Sequence, residues 1–173
     1  SATSAVTNTN DAGSISITGT ATQGQILSTT ITDPDGVPAS GITYQWKADG
    51  TDISGATSST YTLTNAEVGK AITVVANYTD SRSTAETVTS SATGAVTNAN
   101  DLGSIAITGA ATQGQTLSTT ITDPDGVPAS GITYQWKADG TNISGATGAT
   151  YTLTNAEVGK AITVVANYTD SRS

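Results

Sequence analysis

Two acidic segments, each present twice, contain the residues of this chain that are best suited to binding a metal ion. The segment Asp33-Pro34-Asp35-Gly36 recurs unchanged at residues 123–126, and segment 8–11, rich in Asn and Asp, recurs with one substitution at 98–101. Calcium takes six to eight oxygen ligands from carboxylates, amide side chains and carbonyls. The two segments therefore predict calcium sites. Neither is an EF-hand loop, because the Glu that such a loop requires is missing.

A simpler interpretation of the same residues is that they only form turns. Pro34 followed two positions later by Gly36 is typical of a tight turn. Asn-rich linkers also form local hydrogen bonds from side chain to backbone without any metal. From the residues alone, both interpretations stay open.

Composition argues against several classes of function. The 173 residues include no His and no Cys, which removes the commonest general bases and nucleophile pairs, so an enzyme is not expected. A net charge of −8 argues against nucleic acid and against anionic membrane surfaces, and it favours divalent cations. No apolar run approaches the length of a membrane span.

An internal repeat divides the chain into two modules. Residues 2–83 recur as residues 92–173, with nine of the 82 aligned positions changed, and a period of this size indicates one folded module per repeat. We expect domains at residues 10–97 and 102–173, a linker at 98–101, and the end of a preceding repeat with its linker at 1–9. Because the second copy stops at Ser173, we expect its last strand to be missing and both termini to be fragment ends.

Short segments with alternating apolar residues, separated by Gly, Asp, Asn and Pro, predict β-strands in each copy. In the first copy the predicted strands are 14–18, 26–31, 42–47, 60–64, 71–79 and 84–96. A helical turn capped by Asn65 and ended by Gly69 is predicted between the fourth and fifth strands. Trp46 is expected in the core and the few basic residues, Arg82 among them, on a solvated surface. Short strands without helical periodicity predict an all-β fold of β-sandwiches.

The sequence also resembles known families. Tyr44-Gln45-Trp46 followed by Tyr61-Thr62-Leu63 is similar to immunoglobulin-like (Ig-like) domains, with Trp46 as the core tryptophan of the third strand. The whole repeat resembles the bacterial Ig-like extender modules of giant repeats-in-toxin (RTX) adhesins, through the junction segment 6–11 and through segment 61–70. This resemblance implies two tandem antiparallel Ig-like sandwiches arranged end to end, in a cell-surface rod that calcium stiffens at or near the domain junctions.

An Ig-like topology would place the loop after the second strand and the loop before the last strand beside the linker. The arrangement resembles cadherin junctions, where an Asn/Asp linker meets an Asp-x-Asp loop. Glu67, Asp49 or Asp52 (Asn142 in the second copy) of the preceding domain could add further ligands. The candidate metal ligands are therefore Asn8, Asn10, Asp11, Asp33, Asp35, Glu67 and Asp80 in the first copy, and Asn98, Asn100, Asp101, Asp123, Asp125 and Asp170 at the second junction.

These observations predict an extracellular spacer of a large bacterial adhesin, which projects a distal ligand-binding domain and has neighbouring repeats as partners. The alternatives are a module that itself binds carbohydrate or protein, and an accessory module of a secreted polysaccharide-degrading enzyme. The chain is expected to be monomeric. Residues 1–7 copy the end of the missing last strand, so they are also expected to be able to pair with the open edge of a neighbouring molecule's second domain.

Overall fold

The computed structural model describes residues 3–172 and contains two compact units, Ser1–Ala99 and Asn100–Ser173, named unit 1 and unit 2 here. Unit 1 contains seven strands: β1 (Ser14–Thr18), β2 (Ile26–Thr32), β3 (Thr43–Ala48), β4 (Thr51–Asp52), β5 (Thr60–Thr62), β6 (Ile72–Thr79) and β7 (Ala85–Thr89). They form two antiparallel sheets, in the orders β1-β2-β5 and β4-β3-β6-β7.

Unit 2 repeats this arrangement with six strands in the described residues. These are β8 (Ser104–Thr108), β9 (Thr116–Thr122), β10 (Thr133–Ala138), β11 (Thr141–Asn142), β12 (Thr150–Thr152) and β13 (Ile162–Asn167). Its sheets have the orders β8-β9-β12 and β11-β10-β13. In both units the first, second and fifth strands share one sheet and the third and sixth share the other, which is the strand distribution of Ig-like sandwiches. The predicted all-β, Ig-like fold is therefore confirmed.

The core of unit 1 lies between its two sheets. Leu27 of β2 packs in one cluster with Trp46 of β3 and with Ile72 and Val74 of β6, all of them fully buried. The strict alternation of β6 places its odd and even residues on opposite faces, so that Ile72, Val74, Ala76 and Tyr78 all point inward. Trp46 also donates its indole N–H to the carbonyl of Ser58 at 2.9 Å. The prediction of a core tryptophan is confirmed.

Three details differ from the sequence predictions. The helical turn is a 3₁₀ segment, Asn65–Glu67, and its cap is Thr64 rather than Asn65: Glu67 accepts hydrogen bonds from both the backbone N–H and the hydroxyl of Thr64. The two-residue strand β4 was not predicted, because a pair of residues carries no alternation. No helix in residues 3–172 is long and apolar enough to cross a membrane.

The third difference concerns the end of unit 1, where one continuous strand was predicted over residues 84–96. The structure ends β7 at Thr89, and the chain then continues as a separate segment that makes isolated bridges at Ala95, Val96 and Thr97. In unit 2 the sixth strand, β13, pairs only with β10 among the described residues. Its inward residues Ile162 and Val164 are consequently half-buried, whereas their counterparts Ile72 and Val74 are fully buried.

Candidate metal site

Three carboxylates converge at one end of unit 1. Asp33 follows β2, Asp80 follows β6 and Glu86 lies within β7, and each offers one oxygen within 4.8 Å of the other two. Two oxygens that bind the same calcium ion at 2.3–2.6 Å cannot be more than about 5 Å apart. The spacing of the three side chains is therefore compatible with a single calcium-sized cation.

Backbone hydrogen bonds fix two of these carboxylates in their loops. Oδ1 of Asp33 accepts the N–H of Asp35 at 2.8 Å. Oδ1 of Asp80 accepts two bonds of 2.8 Å, from the N–H groups of Arg82 and Thr84. Such local turns use one oxygen of each side chain to shape the loop. The second oxygen of Asp33 accepts the Tyr78 hydroxyl, whereas the second oxygen of Asp80 has no such partner among residues 3–172.

The observation that most favours a cation at this site concerns Asp80. Its side chain is only 5% exposed, and its second oxygen, Oδ2, has no hydrogen-bond partner among residues 3–172. A buried carboxylate oxygen without a partner is costly, and buried charges are normally paired or bound to metal. A divalent cation among Asp33, Asp80 and Glu86 would satisfy this oxygen.

Tyr78 and Gly13 form the wall beside Asp33. The Tyr78 hydroxyl donates to Oδ2 of Asp33 at 2.8 Å. Burial raises the pKa of Tyr78 well above its usual range, and the hydrogen bond to Asp33 and the neighbouring carboxylates raise the pKa further. A Cβ atom on Gly13 would lie 1.9 Å from the same hydroxyl and 2.8 Å from Asp33 Oδ2. Only glycine therefore allows the chain to pass this close to the pair.

The predicted ligand Asp35 lies next to this cluster but has other partners. Its Oδ2 accepts the N–H of Asp11 at 2.9 Å and the amide of Asn8 at 3.2 Å, and its Oδ1 lies 3.4 Å from Nε of Arg82. The bond from the Asp11 backbone, the bond from Asn8 and the Arg82 charge hold the pKa of Asp35 below its usual range, against the effect of burial.

These contacts tie the incoming chain segment to the acidic end of unit 1. Asn10 adds a bond of 2.7 Å from its amide to Glu86 Oε1. Arg82 was expected on a solvated surface, but its guanidinium bonds to Asn8 and lies against Asp35. The side chain is nevertheless 55% exposed, so the expected solvated position holds, and these two contacts are additional to it.

Unit 2 repeats most of this geometry. Tyr168 donates to Asp123 at 2.6 Å, which together with burial raises the pKa of Tyr168 to about 12. Asp125 is fully buried, and one of its oxygens accepts the N–H of Asp101 at 2.6 Å. Its other oxygen has no hydrogen-bond partner within the described residues. Asp170 accepts the N–H of Arg172, as Asp80 accepts that of Arg82.

Among residues 3–172, a group of three converging carboxylates is found in unit 1 alone.

The remaining candidates are placed elsewhere. Glu67 is buried in its cap, and it lines a depression of about 390 Å³ together with Asp49 and Asp52. Asp49 accepts the N–H of Ala71, and Asp52 pairs with Lys47. In the segment between repeats, Asn100 is exposed, while the Asn98 side-chain oxygen is enclosed and has no hydrogen-bond partner among the described residues.

Glu86 is the one member of the three-carboxylate group that sequence reasoning missed. Glu86 and Val88 share the inward face of β7. An acidic residue at an inward strand position is a signal that could have identified Glu86. Buried acidic residues are rare unless they have a partner.

Comparisons with known proteins add little to this description. No family model and no curated protein matches the chain. Among solved structures, the chain is similar to the three N-terminal domains of the Highly Immunogenic Outer Capsid protein (Hoc) of bacteriophage RB49, with 17% identity and a TM-score of 0.39. The match covers 90% of this chain and 58% of the Hoc chain. The strand order of the two units is therefore the basis for identifying the Ig-like fold.

Proposed function

We propose that this chain is a spacer segment of a larger bacterial cell-surface adhesin of the RTX type, outside the cell, and that it holds a distal binding domain away from the surface. The observation that carries the proposal is the near-unchanged repetition of a whole sandwich. Trp46 and Trp136, Leu27 and Leu117, and the acidic turns are the same in both copies. Copies of one module add length without adding new chemistry.

Calcium is the cation that we propose for the acidic end of each unit. Asp33, Asp80 and Glu86 would supply carboxylate oxygens in unit 1, and Asn10, which contacts Glu86, lies close enough to add its amide oxygen after rotation. The donor set consists only of oxygens, which suits calcium or magnesium better than zinc or copper. Calcium tolerates irregular geometry of this kind better than magnesium does.

Calcium would stiffen the chain by joining the incoming segment to the sandwich. Residues 8–11 already contact Asp35 and Glu86 through three hydrogen bonds. Without a cation, the three carboxylates within 4.8 Å repel one another. A bound cation would remove that repulsion and hold β7 and the loops after β2 and β6 around one centre.

Small-angle X-ray scattering of this chain, and of a longer version with one extra 90-residue repeat inserted, tests the spacer proposal. In millimolar calcium we expect the maximum dimension to grow by a constant increment per repeat, and a chelator to broaden the distribution of dimensions. The proposal would be contradicted if the longer chain had no greater maximum dimension in calcium.

A further inference from the structure

The chain leaves unit 1 through residues 93–97, called the exit segment here. Thr97 donates its N–H to the Ala21 carbonyl and accepts the N–H of Gln23, each at 2.9 Å. Thr97 and Thr22 are thus partners in a parallel bridge, and their hydroxyls are hydrogen-bonded at 2.8 Å. The exit segment therefore runs in the same direction as the stretch of chain that follows β1, and the two lie side by side.

A second pair of backbone bonds holds the exit segment to the turn after the 3₁₀ segment. Val96 donates its N–H to the Lys70 carbonyl at 2.9 Å and accepts the N–H of Gly69 at 2.8 Å. The Val96 side chain is 2% exposed and belongs to the core cluster of unit 1. Four backbone hydrogen bonds and one buried valine therefore fix the end of the exit segment.

The direction of the chain decides how tension would act on these bonds. β1 begins at the acidic end of unit 1, since Ser14 pairs with Thr32, the residue before Asp33, and the chain runs from there to Thr22. Tension on the incoming segment therefore pulls Thr22 back toward the acidic end. Tension on the chain after Thr97 pulls Thr97 forward, away from that end. Two parallel neighbours that are pulled in opposite directions along their length are loaded in shear.

Loading in shear makes a small number of bonds resistant to force. Bonds that lie across the direction of the force are stretched together, whereas the bonds of a strand that is peeled from one end break one after another. Detaching the exit segment also requires Val96 to leave the core. Release under tension therefore has to break the four backbone bonds and expose the valine in one event.

We propose that the exit segment is a mechanical clamp, whose contacts with Thr22, Gly69 and Lys70 set the barrier to unfolding when tension passes through unit 1. The clamp is a property of unit 1 by itself and needs no calcium. Its use in the cell rests on the proposed spacer function, because a spacer that connects a cell surface to a bound target transmits force.

Unfolding of the 173-residue chain in optical tweezers tests the clamp. The chain has no cysteine of its own, so Thr9→Cys and Ala99→Cys, both at exposed positions, provide attachment points that load unit 1 alone. In the presence of a chelator we expect unit 1 to unfold in one step. An earlier step of roughly 25 Å, the extended length of about eight residues, would overturn the proposal, because the exit segment would then have detached first.

Val96→Ala and Val88→Ala are a matched pair of variants for the same measurement. Both valines are buried in the core cluster of unit 1, but only Val96 lies in the exit segment, whereas Val88 lies in β7. Val96→Ala should raise the unfolding rate at constant force roughly tenfold or more, the effect of removing two methylene-sized groups from a contact that is lost at the barrier. Val88→Ala should change this rate less than about threefold, because contacts that persist at the barrier leave the unfolding rate unaltered. Any result in which Val96→Ala does not unfold faster than Val88→Ala under load would overturn the proposal.

Urea unfolding of the two variants is the control without force. Both should lower the urea midpoint of unit 1, since each removes buried methyl groups, so that a difference seen only under load reflects the path of the force. The scattering test of the spacer proposal measures the length of the chain, whereas the tweezers measure the resistance of unit 1. Failure of the one proposal is therefore distinguishable from failure of the other.

Discussion

At the scale of single residues, the acidic end of unit 1 depends on which oxygen atoms already have partners. Both oxygens of Asp35 have partners in Asp11, Asn8 and Arg82, and both oxygens of Asp33 accept hydrogen bonds, from the Asp35 N–H and the Tyr78 hydroxyl. Asp80 has one oxygen held by two backbone N–H groups and one without a partner among residues 3–172. Composition alone treats these acids as equivalent, and only their hydrogen bonds distinguish a loop-forming carboxylate from a candidate ligand.

Gly13→Ala should destabilise unit 1 by roughly 1–3 kcal/mol, the usual cost of forcing extra atoms into a packed site. Its Cβ would lie 1.9 Å from the Tyr78 hydroxyl and would push that hydroxyl off Asp33. Urea unfolding followed by fluorescence measures the change. Gly94→Ala is the matched control, because the space around Gly94 is open. Equal stability of the two variants would mean that the Tyr78–Asp33 contact contributes nothing.

Asp35 predicts a loss of stability in acid. Because its pKa is lower in the folded protein than the ordinary value of 3.8, the ionised form favours folding at pH values above the unfolded pKa. That contribution is lost as the pH falls through the folded pKa. We expect wild type to be more stable than Asp35→Asn at pH 6 and the difference to shrink below pH 4. Urea unfolding of both proteins between pH 2.5 and 6 measures it, and a constant difference would contradict the argument.

At the scale of strands and loops, alternation predicted the elements that have two distinct faces. The inward residues of β6 and the core position of Trp46 follow from a period of two. The cap at Thr64 follows from a different local pattern, the capping-box spacing of Thr64 and Glu67. The break after Thr89 follows from neither pattern, because the next segment bonds to residues distant in sequence. Val96 illustrates this: its strand propensity is ordinary, but its position is fixed by Gly69 and Lys70.

The candidate site was predicted in part for the same reason. The Asp-x-Asp turn and Asp80 were identified from their residue types and from an assumed Ig-like topology. Glu86 was not predicted, because the predicted ligands come from turns and linkers, whereas this acid lies within β7. The fold places Glu86 beside Asp33 and Asp80, which lie in two different loops. No local sequence pattern predicts that these three residues are close together.

The two units should unfold at different urea concentrations. In unit 1, β7 covers β6 and the inward residues of β6 are buried; in unit 2, Ile162 and Val164 of β13 stay half-buried. Each buried aliphatic side chain is worth about 1.5–3 kcal/mol, so unit 2 should have a midpoint lower by about 1 M urea or more. Fluorescence of Trp136→Phe reports unit 1 through Trp46, and Trp46→Phe reports unit 2. Coincident transitions would contradict this expectation.

At the scale of the whole molecule, two observations support the spacer proposal: one sandwich is repeated, and each unit has an acidic end. The proposed spacer needs modules that fold by themselves and junctions that can be stiffened. Neither role requires a catalytic group. The net charge of −8 keeps such a chain soluble and leaves it receptive to divalent cations.

Thermal unfolding in millimolar calcium against a chelator, with magnesium as a comparison, tests the central claim most directly. A cation that binds only the folded state adds about 2.7 kcal/mol at a hundredfold excess over its Kd, which raises the Tm of a domain of this size by roughly 10 °C or more. We predict a calcium-specific rise in the transition of unit 1 that Asp80→Asn abolishes. Asp52→Asn, which removes an exposed carboxylate outside the cluster and reproduces the residue found at position 142, should keep the rise. No rise in wild type, or an equal rise in Asp80→Asn, would contradict the account.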